Sequence, residues 1–145
     1  MTIKYNDSRY IFNKEKKLNE DKKQTLLELA EEYIKCYGII NPKKFNNITS
    51  KFGTNSWTII VEARQKILGF KRTKTYNFNL QENRVELVVP SKTATNAYIV
   101  KELISSSDFG HRSFLDFVST KTSHPEDYNI KFEEREYDLY PGAIS

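Results

Sequence analysis

Apolar residues change their spacing several times along this chain, and each change predicts an element. Leu26, Leu27, Ala30, Tyr33, Ile34 and Tyr37 recur at helical spacing, while Glu28, Glu31, Glu32 and Lys35 fall on the other face. Asp21, three residues before Gln24, resembles a capping box, and Gly38 suits the position just past the last turn. A helix over residues 21–38 is predicted.

Asn41-Pro42 has the form of a helix start, because Asn accepts from orphan amides and proline has no amide to lose. Phe45, Ile48 and Phe52 follow at helical spacing before Gly53, which predicts a second helix. Asn55-Ser56 then offers a cap to a third element over residues 57–68. Strict alternation is absent there, and the run Ala63-Arg64-Gln65-Lys66 favours a helix over a strand that turns back.

From Leu68 the period becomes two. Leu68, Phe70, Tyr76, Phe78 and Leu80 share one side, interrupted by Arg72 and Lys74, with Lys71, Thr73, Thr75, Asn77 and Asn79 opposite. Gln81-Glu82-Asn83 is a short turn, and Val85, Leu87 and Val89 return in phase until Pro90. This predicts a β-hairpin. Ala97, Val100 and Ile104 suggest a helix at 94–106, and Phe114, Phe117 and Val118 another at 112–120. Tyr128, Ile130 and Phe132 predict a last strand that breaks phase before Tyr137 and Leu139, so a bulge or a second short strand is expected there.

The expected fold is therefore a single α+β domain over residues 1–145. N-terminal helices lead into an antiparallel hairpin, two further helices and a C-terminal strand. Residues 1–20 are largely polar and are expected to pack loosely, with the apolar cluster Tyr10, Ile11 and Phe12 forming a short strand or packing over the core; residues 141–145 are a tail. Three helices followed by a hairpin is also the order of a winged helix-turn-helix module, in which one helix enters the major groove while its neighbours hold phosphates.

Charge sharpens this picture. The formal net charge of +4 conceals a basic middle, where residues 41–75 hold eight Lys/Arg against Glu62 alone. Residues 108–145 carry eight Asp/Glu against four Lys/Arg. Such a divided field favours oriented association with a charged partner. The first expectation is a regulatory protein that binds DNA or RNA through Lys43, Lys44, Lys51, Arg64, Lys66, Lys71, Arg72, Lys74 and Arg84, with Asn55 among the base-reading candidates. The alternative is a non-enzymatic inhibitor or regulator whose Glu133, Glu134, Glu136, Tyr137, Asp138 and Tyr140 engage a basic groove on a protein partner. Lys outnumbers Arg 17 to 6, a bias suggesting an AT-rich source such as a phage or mobile element.

Catalytic chemistry is less well supplied. His111, His124 and the single Cys36 have no zinc-ligand spacing, and no metal or other cofactor is expected. Asp108 or Asp116 beside His111 is a pairing that arises readily by chance. Glu62, Glu82, Glu86 and Asp116 are carboxylates without the spacing of a metal-dependent nuclease. Asp108-Phe109-Gly110 spells the kinase tripeptide, but the glycine-rich and catalytic loops are missing. One cysteine permits no intrachain disulfide, and neither a membrane span nor an apolar signal segment is evident, so a cytoplasmic setting is expected.

Overall fold

The computed structural model describes residues 3–67, 69–90, 98–104 and 112–139. In chain order these form β1 (Ile3–Phe12), α1 (Glu20–Cys36), β2 (Asn47–Phe52), β3 (Thr58–Ile67), β4 (Phe70–Asn79), β5 (Arg84–Pro90) and β6 (Tyr98–Ile104). They are followed by α2 (Phe114–Lys121), a 3-10 turn (Pro125–Tyr128) and β7 (Ile130–Leu139). Strands β2 to β6 make a five-stranded antiparallel meander in sequence order, and β1 pairs with β7 in a separate antiparallel ribbon.

The α+β class stands, but the winged helix-turn-helix does not. Residues expected to form the second and third helices are the antiparallel strands β2 and β3. Phe45, Ile48 and Phe52 satisfied a helical spacing, yet Ile48 and Phe52 are equally two steps apart on a strand, and Phe45 lies before it. What broke the visible alternation is Ser50, a polar residue on the inward side. Its hydroxyl donates to the Glu31 carboxylate and lies 3.3 Å from the Leu27 carbonyl oxygen, so α1 satisfies a hydroxyl that a strand pattern leaves unexplained. In β3 the β-branched run Ile59, Ile60 and Val61 prevails: Ile59 and Val61 are buried, and Ile60 faces the other side. Asn41-Pro42 does start a turn, since the Asn41 side chain accepts from the Lys43 amide and its carbonyl from the Lys44 and Phe45 amides, but the turn goes no further.

Residues 98–104 of the expected fourth helix are β6, while 91–97 lie outside the described residues. The expected bulge in the last strand is absent. β7 runs without interruption for ten residues, in continuous register with β1 from Ile3↔Leu139 to Phe12↔Ile130. The first helix, the 70–90 hairpin and the helix near 112–120 are present as predicted, although Asn19 rather than Asp21 caps α1, accepting from the Lys22 amide at 2.9 Å.

The core lies between α1 and the inward face of the meander. Leu26, Ala30, Tyr33 and Ile34 of α1 meet Ile59, Val61, Ala63, Tyr76, Phe78, Val85 and Leu87. Helix α2 closes one end with Phe114, Leu115, Phe117 and Val118. It is held by Asn83, which sits at φ 52° in the β4–β5 turn, accepts from the Leu115 amide and donates to the Ser113 hydroxyl. Asn129, at φ 61°, ties the N-terminal segment to the C-terminal strand: its side chain donates to the Lys16 carbonyl and its own carbonyl accepts from the Asn13 amide. Phe12 and Leu18 of that segment are buried.

Tyr33 is the centre of the aromatic packing, with ring centroids 5.0 to 5.9 Å from those of Tyr37, Phe78, Phe114 and Phe117. Its hydroxyl donates to the Arg112 carbonyl at 2.8 Å. Burial, reinforced by Tyr37 and Asp116, pushes its pKa well above the ordinary value near 10. Tyr33 therefore stays protonated in the folded chain at pH values where the unfolded chain has begun to release that proton. Stability from this group is intact below about pH 10 and falls as the pH rises past it, by at most ~1.4 kcal/mol per pH unit. In urea titrations from about pH 9 to 11, the wild-type midpoint is expected to fall faster than that of Tyr33→Phe. Parallel pH profiles would contradict this.

Candidate functional site

One end of the meander gathers most of the basic middle of the chain. The pairing of β2 with β3 ends at Asn47↔Arg64, and that of β4 with β5 ends at Thr75↔Val88. The β3–β4 pairing continues through Gln65↔Arg72 and Lys66↔Lys71 to Ile67↔Phe70. Three residue pairs of the hairpin, roughly 10 Å of strand, thus lie beyond both of these pairings, with no other described strand paired to them. Gly69, at φ 89°, supplies the positive dihedral that its tight turn requires.

Strand alternation divides the hairpin's cations between its two faces. Arg64, Lys66 and Lys71 occupy the face away from α1, and all three are exposed. Arg72 and Lys74 lie on the α1 side, in phase with buried Tyr76 and Phe78. They could interrupt an apolar stripe because Phe45 meets them there. Phe45 is buried, with the Arg72 guanidinium carbon 5.9 Å and the Lys74 Nζ 5.4 Å from its ring centroid. The aromatic face attracts both cations and their aliphatic stems cover the ring. The turn ending at Phe45 also carries exposed Lys43 and Lys44, which adds two positive charges on this side.

Seven cations thus share one end of the fold. Arg64 is matched by Glu62, with Nη2 to Oε2 at 3.0 Å. Among the described residues, none of Lys43, Lys44, Lys66, Lys71, Arg72 and Lys74 pairs with a carboxylate. Lys66 and Lys71 stand directly opposite each other in register. Like charges in that relation oppose strand pairing. Among the described residues the hairpin keeps the repulsion without a carboxylate counterion.

The other expected nucleic-acid contacts are elsewhere. Asn55 lies in the β2–β3 turn, where its carbonyl accepts from the Thr58 amide and hydroxyl. Lys51 pairs in register with Ile60. Arg84 begins β5, and its guanidinium meets Glu82 at 2.8 Å and buried Glu86 at 2.7 Å. The Asn55 and Arg84 turns are at the end of the sheet opposite the β3–β4 turn, with most of the length of β3 between. Lys51, Asn55 and Arg84 therefore do not join the basic cluster.

The acidic C-terminal run is paired along its length with β1. Glu133, Glu134, Glu136, Tyr137 and Asp138 are part of β7, in register with Arg9, Ser8, Asn6, Tyr5 and Lys4 of β1. Opposite-charge residue types coincide at Arg9↔Glu133 and Lys4↔Asp138, and again at Asp7↔Arg135. Tyr140 lies outside the described residues, as does His111.

No group of three or more His, Cys, Asp or Glu suited to a metal ion occurs among the described residues. Glu62 meets Arg64, and Glu82 and Glu86 share Arg84, so these three carboxylates serve ion pairs. An open groove of about 550 Å³ runs between residues 11–16 and 129–131, but Glu15 and Glu126 offset its Lys14, Lys16 and Lys131. No described helix is long and apolar enough to cross a membrane.

The sequence pattern identified the basic residues but not their clustering, which requires the β3 register that folds residue 66 back onto residue 71. Comparison of the chain with protein-family models, with curated proteins and with solved structures finds no match.

Proposed function

We propose that this protein binds nucleic acid through the sugar–phosphate backbone, with Lys43, Lys44, Arg64, Lys66, Lys71, Arg72 and Lys74 as the contact set. The observation that carries the proposal is the hairpin's Lys66, Lys71, Arg72 and Lys74, none paired with a carboxylate among the described residues, above all the directly opposed Lys66 and Lys71. Such a pair opposes folding unless an anion relieves it, and a row of phosphates does so at several points together. Backbone contacts of this kind fix position and carry little sequence information. Association with regulatory consequences, rather than chemistry on the bound strand, is the proposed role.

Salt dependence is the direct test. Each neutralised phosphate releases a counterion, so log K should fall with log salt at a slope of about −0.9 per contact on duplex DNA. With five to seven contacts, affinity is expected to drop by roughly 10³-fold or more between about 50 and 200 mM salt. Fluorescence anisotropy with labelled oligonucleotides reads this out. Absent binding, or binding indifferent to salt, would overturn the proposal.

A further inference from the structure

We infer that the β3–β4 hairpin enters the major groove of double-stranded DNA, so that its two faces meet the phosphates of the two strands. This rests on the proposed nucleic-acid binding and narrows it to one class of ligand. The decisive feature is the distribution of charge. Arg64, Lys66 and Lys71 stand on one face of the hairpin, and Arg72 and Lys74 on the other, with Lys43 and Lys44 flanking the second face. A sheet laid flat on a single strand uses one face only and leaves the opposite cations without a partner. A hairpin seated between two phosphate rows uses both.

Dimensions agree. The part of the hairpin free of β2 and β5 is three residue pairs long, roughly 10 Å. The B-form major groove is about 12 Å wide and 8.5 Å deep and admits a two-stranded ribbon. The minor groove, about 6 Å wide, is too narrow for a ribbon carrying long side chains on both faces. The major groove of A-form RNA is deep and narrow and excludes side chains from its floor. Single-strand platforms rely on exposed aromatic rings for stacking. Among the described side chains the one exposed large hydrophobic is Phe132, which belongs to β7, and Phe45 is buried beneath Arg72 and Lys74.

Two measurements on the full chain test the inference. The first compares a DNA duplex, an RNA duplex and single-stranded DNA of one sequence at fixed salt; the DNA duplex is expected to bind at least about tenfold more tightly than either. The second takes Lys66→Gln and Arg72→Gln, exposed residues on opposite faces of the hairpin. Each is expected to weaken duplex binding and reduce the salt slope by about 1. Equal affinity for all three probes, or a slope change confined to one face, overturns groove insertion while leaving backbone binding in place. Failure to bind any probe overturns both.

Discussion

Replacing Lys66 and Lys71 together by glutamate is expected to weaken nucleic-acid binding by about three orders of magnitude at low salt. Each reversal changes the local charge by two units, and one unit charge near contact in water is worth about 1 kcal/mol. The double reversal therefore costs about 4 kcal/mol, close to a 10³-fold change in Kd. Its effect on folding should be small, because a Glu–Glu pair repels across the strands as the Lys–Lys pair does. The single variant Lys66→Glu separates the two roles of the pair. It faces Lys71 with an opposite charge, so stability should rise by roughly 0.2–1 kcal/mol while binding falls. Thermal melts and anisotropy titrations on the same preparations check both parts. If Lys66→Glu lowers the melting temperature, or binds as well as the wild type, the repulsive pair is not a site held open for an anion.

The second large effect belongs to the core. Phe78 is almost fully buried near the C-terminal end of β4, with ring centroids 4.9 Å from Phe114 and 5.9 Å from Tyr33, both edge to face. It joins sheet, α1 and α2 at one point. Phe78→Ala removes that buried surface and leaves a cavity that these three elements can only partly close, so about 3–5 kcal/mol is expected to be lost. That is a large share of the roughly 5–15 kcal/mol that stabilises a typical domain. Phe78→Leu, which keeps much of the volume, should lose substantially less. Denaturant titration measures both. A loss below about 1 kcal/mol for the alanine variant would mean that the three elements do not share one packed core.

Parts of the fold were legible along the chain because their evidence is local. Helix α1 has a complete apolar stripe, an acidic opposite face and Gly38 as its stop, and nothing outside it is needed to recognise it. The β4–β5 hairpin alternates around a polar turn, and Phe45 receives the Arg72 and Lys74 that interrupt its apolar side. Strand β2 was hidden because Ser50, which breaks its alternation, is satisfied by Glu31 and Leu27 of α1, and β3 because Ile60 places an apolar side chain on the face away from α1. The pairing of the acidic run was not legible either, since the residues in register with it lie more than 120 positions earlier, in β1.

The sequence by itself determined that residues 41–75 are densely basic, that α1 is an amphipathic helix, and that a hairpin turns at residues 81–83. Those features are set by composition and by spacing within a few turns. Tertiary structure alone decided that the charge gathers at one end of the sheet. Antiparallel register placed Lys66 against Lys71, ended the β2 and β5 pairings before the hairpin does, and put Arg72 and Lys74 on the face opposite Arg64. A one-residue slip in β3 would send each of its side chains to the other face. The position of a charge in space is therefore a property of the register, and the register is held by burial of Ile59, Val61 and Ala63 against α1 rather than by anything in the charged run itself.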